Sequence, residues 1–164
     1  MRRAIVCACL LALASAAPAG AALPKHGTLL PGRALGGVRL GETAAQVQSA
    51  LGASHGVCRG CADPTWYFTY RPFDSHGLGV ELTGGRVSGV YTLWQPAGWS
   101  TPAGLRLGAF QGEVTSRSGP TVPVACAGYT ALVSDSAAAR TAYYVLDGKV
   151  WGFGLFARGA NPCR

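Results

Sequence analysis

Acidic residues are scarce in this chain: seven Asp and Glu in 164 residues, against fourteen Lys and Arg. Carboxylates so few and so scattered argue against a paired acid and base in catalysis. Histidine is scarcer still, at three. His26 and His76 have no helpful spacing, and a zinc site built from Cys58, Cys61 and His55 would lack a fourth ligand, so no metal and no cofactor is expected. No G-x-S-x-G elbow, H-E-x-x-H helix or phosphate loop occurs. The basic residues stand singly, without the clustered face or run of a nucleic-acid binder, so no nucleic-acid partner is expected. Apolar runs are short throughout, below the roughly 20 residues that cross a bilayer.

What is present begins with an export signal. Met1-Arg2-Arg3, the apolar stretch Ala4–Ala14 and the small residues after it have the layout of a secretory signal peptide spanning 1–21, with cleavage after Ala21 or Ala16. Cys7 and Cys9 would leave with it, and no integral membrane segment would remain. The mature chain would keep twelve basic and seven acidic residues, for a net charge of +5 with His neutral. It would be secreted or held in the cell envelope, where Cys58, Cys61, Cys126 and Cys163 read as two disulfides. Four cysteines allow three pairings, and the spacing favours Cys58 with Cys61 and Cys126 with Cys163.

A repeated phrase organises the rest. Gly37-Val38-Arg39-Leu40-Gly41 returns as Gly104-Leu105-Arg106-Leu107-Gly108, and Gly85-Arg86-Val87-Ser88-Gly89-Val90 is answered by Gly148-Lys149-Val150-Trp151-Gly152-Phe153. Two ordered matches predict a duplicated unit. The divisions expected are an extended lead-in over 22–36, a first repeat over 37–95, a linker over 96–103 and a second repeat over 104–164. Thr43-Ala44-Ala45-Gln46 fits a capping box and starts a helix Ala44–Leu51 that Gly52 ends. In the second copy Phe110 replaces the capping Thr and Gly112 enters the first turn, which predicts a helix of a single turn. Strands are expected at Thr65–Arg71, Gly77–Thr83, Arg86–Gln95, Tyr129–Ser134, Arg140–Leu146 and Lys149–Ala157. Gly84-Gly85 and Asp147-Gly148 make tight hairpins of the last two in each copy.

Candidate chemistry is limited. Cys58-Arg59-Gly60-Cys61 could cycle between dithiol and disulfide, but a strand rather than a helix follows, which favours a loop staple. Aromatic residues are the more suggestive set. Trp66, Phe68 and Tyr70 share one strand face, with Tyr67 on the other. Val87, Tyr91 and Leu93 oppose Val90, Thr92 and Trp94, while Val150 and Phe156 oppose Trp151, Phe153 and Leu155, and Tyr143 opposes Tyr144. Both faces are therefore apolar, from packing between copies or from an aromatic surface that meets a partner. Two hairpin tips, Pro72 to His76 and Ser134 to Ser136, would carry Phe73, Asp74 and Asp135 along one edge.

The twofold unit of a G-[VL]-R-L-G phrase, a helix ending in Leu51-Gly52 and a meander with a Gly-[RK]-Val strand start resembles the β-lactamase inhibitory protein-like family. The resemblance spans nearly all of 35–157 and implies an α+β fold: two tandem helix plus antiparallel β-meander units whose sheets form one curved surface. It implies no catalysis, and a concave aromatic surface that clamps a protein partner with turn-borne acids and Phe. The binding residues expected are Trp66, Tyr67, Phe73, Asp74, Tyr91, Trp94, Asp135, Tyr143 and Trp151. The function expected is a secreted, non-enzymatic binding or inhibitor-like protein whose partner is an unknown protein or envelope component. The alternatives are an envelope assembly or structural factor, and a thiol oxidoreductase at the C-x-x-C.

Overall fold

A computed structural model describes residues 23–164; the expected leader, with Cys7 and Cys9, lies outside them. The elements are β1 (Leu29–Leu30), β2 (Ala34–Leu35), β3 (Val38–Arg39), α1 (Ala44–Leu51), β4 (Gly56–Cys58), β5 (Thr65–Thr69), β6 (Gly77–Thr83), β7 (Arg86–Leu93), α2 (Gly112–Ser118), β8 (Val122–Cys126), β9 (Tyr129–Asp135), β10 (Ala139–Leu146) and β11 (Lys149–Ala157). Strands β4 to β11 form one antiparallel sheet in the order β4-β5-β6-β7-β11-β10-β9-β8, and β1 to β3 form a small second sheet.

This corrects the expected class. The described residues are 44 % strand and 11 % helix, so the fold is mostly β rather than two helix-plus-meander units. The physical reason is the size of the helices. α1 has eight residues and buries Val47 and Leu51, while α2 has seven and buries Val114 alone. Elements so small cannot make a layer, and the strands supply most of the core.

Local chemistry explains the elements that do form. Thr43 caps α1 through its hydroxyl, and the Gln46 side chain accepts the Thr43 N–H at 2.8 Å. α2 is longer than the expected single turn because Glu113 accepts the Phe110 N–H at 3.2 Å and pairs with Arg117 one turn on. Gly84 and Gly85, and Asp147 and Gly148, all take positive φ (59°, 75°, 50° and 72°), which closes the β6–β7 and β10–β11 hairpins with the twist that antiparallel strands need.

The two glycine-bounded phrases occupy matching places. Gly41 donates its N–H to the Val87 carbonyl at 2.8 Å, and Gly108 donates to that of Val150 at 2.6 Å. Each phrase thus docks beside the first turn of a long hairpin and buries one apolar side chain, Val38 or Leu105, completely.

Register departs from simple alternation at two points. The β6–β7 pairing shifts between Glu81 and Leu82, leaving Ser88 as an extra residue, and the β10–β11 pairing shifts between Tyr144 and Val145, leaving Trp151. Each bulge resets the side-chain alternation. Val87 therefore joins Val90 on the helix-bearing face instead of Tyr91, and Val150 joins Phe153 and Leu155 instead of Phe156.

Two segments read as plain connections carry core. In the lead-in, Leu29 and Leu35 are fully buried. In the stretch between the phrases, Trp99 is 1 % exposed and packs over Gly27 and Gly36, where a Cβ would stand 2.4 and 2.7 Å from its ring. Its indole N–H donates to the Tyr70 hydroxyl at 2.8 Å, which in turn donates to the Pro24 carbonyl.

Candidate binding surface

The face of the large sheet turned away from the helices is built from rings laid over glycines. Gly79 lies opposite Tyr91 in the β6–β7 register, and a Cβ at Gly79 would stand 2.5 Å from the Tyr91 ring. Gly89 makes the same room for Phe156, as Gly152 does for Tyr144 and Gly154 for both. The glycines let these rings lie close against the strands, which leaves a hollow between the residues that rise at its rim.

Over β5, β6 and β7 that concavity is an open trough of about 1310 Å³. Its floor holds Tyr67, Tyr91 and Leu93; Cys61 and Asp63 stand at one end and Trp94 at the other. Burial pushes the Tyr91 hydroxyl well above the usual tyrosine range, a shift that the neighbouring Tyr67 reinforces. The group is a neutral donor rather than an acid or base at physiological pH.

Beside the trough, residues 158–164 cross the same face as a strap. Cys163 is bonded to Cys126. The buried Tyr144 hydroxyl donates to the Pro162 carbonyl at 2.9 Å, and Arg140 donates to the Ala160 carbonyl at 2.8 Å. Arg164 pairs with Glu81 and stands over Phe156, with 4.4 Å from its guanidinium carbon to the ring centroid. The strap covers the β9–β10 part of the face and forms one wall of the trough.

Five of the nine residues expected to bind lie on this face or line its trough, Asp74 among them at the rim. Tyr67 and Tyr91 lie in the trough, Trp94 rises at its end, and Trp151 sits 6.0 Å from Trp94 while also packing on Tyr144 and Tyr129. Trp94 is 56 % exposed at φ 49°, a left-handed conformation unusual for a large residue.

The other four are elsewhere. Trp66 points to the opposite face, stacked on His55 with ring centroids 4.0 Å apart and packed against the main core. Tyr143 is fully buried in that core against Phe153, so it meets no partner. Phe73 is fully exposed at the β5–β6 tip, with Asp74 beside it accepting from the His76 backbone N–H at 3.0 Å and lying 2.7 Å from its ring nitrogen. Asp135 is exposed at the β9–β10 tip and receives two hydrogen bonds from Arg140, at 2.8 and 2.9 Å.

The single edge expected for Phe73, Asp74 and Asp135 is corrected. β7 and β11 pair antiparallel, with Tyr91 opposite Gly154 and Gly89 opposite Phe156, so the β5–β6 and β9–β10 turns fall at opposite ends of the sheet.

The disulfides pair Cys58 with Cys61 and Cys126 with Cys163, as the spacing favoured. Both are those of a chain that matures in an oxidising compartment. The first closes the loop after β4, and β5 follows it, so no helix N-terminus faces either sulfur. Among the described residues no helix is long and apolar enough to cross a membrane.

Glu81 and the strap residues Asn161 and Arg164 were not among the expected site residues. The signal for Glu81 was present: a lone acid in Leu78-Gly79-Val80-Glu81-Leu82 that alternation places with Gly79, on the face away from Leu78 and Val80. The strap is legible in part: the Cys126–Cys163 pairing favoured by spacing fastens the last residues to the sheet, whereas the face they cross and their reach to Glu81 follow from the order of the paired strands.

No family model matches the chain, and no curated protein matches it. Two solved structures resemble it. One is a DUF4309 family protein (YjgB) from Bacillus subtilis subsp. subtilis str. 168, at TM-score 0.51 and 14 % identity over 71 % of this chain and 79 % of that one. The other is an extracellular protein containing a SCP domain from Bacillus anthracis str. Ames, at TM-score 0.51 and 6 % identity over 73 % of this chain and 44 % of that one. At such identities the likeness is one of fold.

Proposed function

We propose that the chain is an exported, non-enzymatic binding protein that takes a protein partner along the trough over β5, β6 and β7. The observation that carries this reading is the trough itself: an aromatic concavity left open beside a half-face that is covered, with Trp94 held out at its end against backbone preference. Large aromatic rings in a concave site are the groups that supply most interface energy. The resemblance to the β-lactamase inhibitory protein-like family supports the same use of the sheet. Residues arranged for catalysis do not compete with it, since the trough tyrosine Tyr91 stays neutral and the Cys58–Cys61 bridge lacks an activating helix.

The test is affinity capture from secreted and envelope extracts with the mature chain and with a Tyr67→Ala/Trp94→Ser variant of the same fold. The expected result is a protein retained by the parent and lost with the variant. Retention of the same species by both chains, or by neither, would overturn the proposal.

A further inference from the structure

We infer that the strap end of the trough is a guanidinium-binding site, filled by the chain's own Arg164 and offered to an arginine of the partner protein when Arg164 swings out. This rests on the reading of the trough as a protein-binding surface and names what that surface recognises. Glu81 carries the inference. Its side chain is 13 % exposed, on β6, beside the rings of Tyr91 and Phe156 and the glycines that make room for them. A carboxylate so placed needs a cation.

Arg164 supplies one with the geometry of a ligand. Its Nη2 donates to Glu81 Oε2 at 2.7 Å, and its Nε pairs with the second carboxylate oxygen. The guanidinium carbon lies 4.4 Å from the Phe156 ring centroid and 5.7 Å from that of Tyr91. A carboxylate met along the edge, with aromatic rings across the plane, suits a flat guanidinium better than an ammonium.

The strap has anchors besides the Arg164 side chain, whose Nη1 also donates to the Asn161 and Cys163 carbonyls at 2.7 and 2.6 Å. The Cys126–Cys163 bond and the hydrogen bonds to Pro162 and Ala160 hold residues 160–163, and Arg164's backbone N–H also donates to the Tyr129 hydroxyl. The Arg164 side chain is 20 % exposed and lines the trough, so on leaving sideways it gives up the Asn161 and Cys163 carbonyls to water while the disulfide and the Tyr144–Pro162 hydrogen bond keep the strap in place.

Charge around the trough favours the same occupant. Asp63, Asp74 and Glu81, three of the seven acids in a basic chain, line it. Once Arg164 has turned away, Arg86 is the other arginine among the lining residues, with its Nη1 held by the Gly41 carbonyl, and Asp74 keeps its pairing with His76, so Asp63 and Glu81 are the acids open to a guest cation. An arginine-bearing extended segment would lie on Tyr67 and Tyr91 and place its guanidinium where Arg164 now sits.

Methylguanidinium, with methylammonium as control, is the probe. In the full chain carrying Arg164→Ala, millimolar methylguanidinium should raise the thermal midpoint while methylammonium does not, and adding Glu81→Gln should cancel the rise. A short arginine peptide should bind Arg164→Ala about tenfold more tightly than the parent, with citrulline and lysine versions showing no such gain. Equal response to both cations, a rise that survives Glu81→Gln, or no gain in peptide affinity would overturn the inference. If Arg164→Ala does not fold, Arg164→Gln takes its place; failure of both to fold even with methylguanidinium present makes Arg164 a structural brace and also overturns it. Capture by Tyr67 and Trp94 does not involve Arg164, so a negative result here leaves the trough reading standing.

Discussion

The two halves of the sheet's ring-bearing face share one construction and differ in what lies on them. Both lay aromatic rings over strand glycines, Tyr91 over Gly79 in one and Tyr144 over Gly152 in the other. The first half is an open trough, and the second is crossed by residues 158–164, which bury Tyr144 and Phe156 completely. The difference teaches that aromatic content marks a surface that must be covered, and that the covering can come from the chain itself. Beside the strap the rings of the first half keep their exposure to the trough.

Removing the strap's covalent anchor tests this contrast most severely. The Cys126–Cys163 bond joins residues 37 apart, and the Cys58–Cys61 bond residues 3 apart. On the loop-entropy model, Cys126→Ala/Cys163→Ala should cost about 3 to 4 kcal/mol and Cys58→Ala/Cys61→Ala about 1 to 2 kcal/mol. Urea unfolding measures both, and binding of a hydrophobic dye should rise in the first variant alone. Equal costs would mean that the two halves are tied down alike.

A smaller effect separates the two tyrosines. Tyr144 donates to the Pro162 carbonyl in a buried setting, so Tyr144→Phe leaves that acceptor unpaired and should cost about 1 kcal/mol or somewhat more. Tyr67 lies in the open trough with Cys61 Sγ 3.7 Å from its hydroxyl and Tyr91 beside it, where water can replace either partner, and Tyr67→Phe should change stability by less than about 0.5 kcal/mol. A Tyr144→Phe protein as stable as its parent would show that the strap is held by its disulfide alone.

How much of this was legible in the sequence depended on how local its cause is. The capping box at Thr43 and the hairpins at Gly84-Gly85 and Asp147-Gly148 follow from a few neighbouring residues, and the structure has them where the sequence places them. The bulges at Ser88 and Trp151 were not legible, and they turned Val87 and Val150 onto the core face against strict alternation. Trp99 was hidden because a Pro- and Gly-rich stretch looks like a connection, although its ring fills the space over Gly27 and Gly36. The class itself was misjudged from the family resemblance, which gives weight to two short helices whose burial is slight beside that of eight paired strands. Of the site, Tyr67, Tyr91, Trp94 and Trp151 were legible as strand aromatics. The opposite placement of Asp74 and Asp135 was not, because it depends on the antiparallel β7–β11 pairing, a contact between distant parts of the chain.

Those two tips give the smallest test of how the halves differ. Hydrogen bonds from Arg140 hold the Asp135 carboxyl below its ordinary range, and hydrogen bonds from the His76 ring and backbone do the same for Asp74. A carboxyl whose pKa is lower folded than unfolded adds stability above its unfolded value and loses it as pH falls through the folded one. Both contributions are therefore present at pH 7 and fade on acidification below about pH 4. Both groups are exposed, so screening keeps each effect small. Asp135 faces a guanidinium that stays charged, whereas part of Asp74's role is to accept a backbone N–H, which an amide oxygen can also do. Asp135→Asn should lower the thermal midpoint by about 2 °C at pH 7, with the gap closing by about pH 3, and Asp74→Asn should show a smaller gap. Thermal melts of the three chains across that range decide it: a gap for Asp135→Asn that stays constant with pH would mean that the Arg140 pair contributes nothing through its charge.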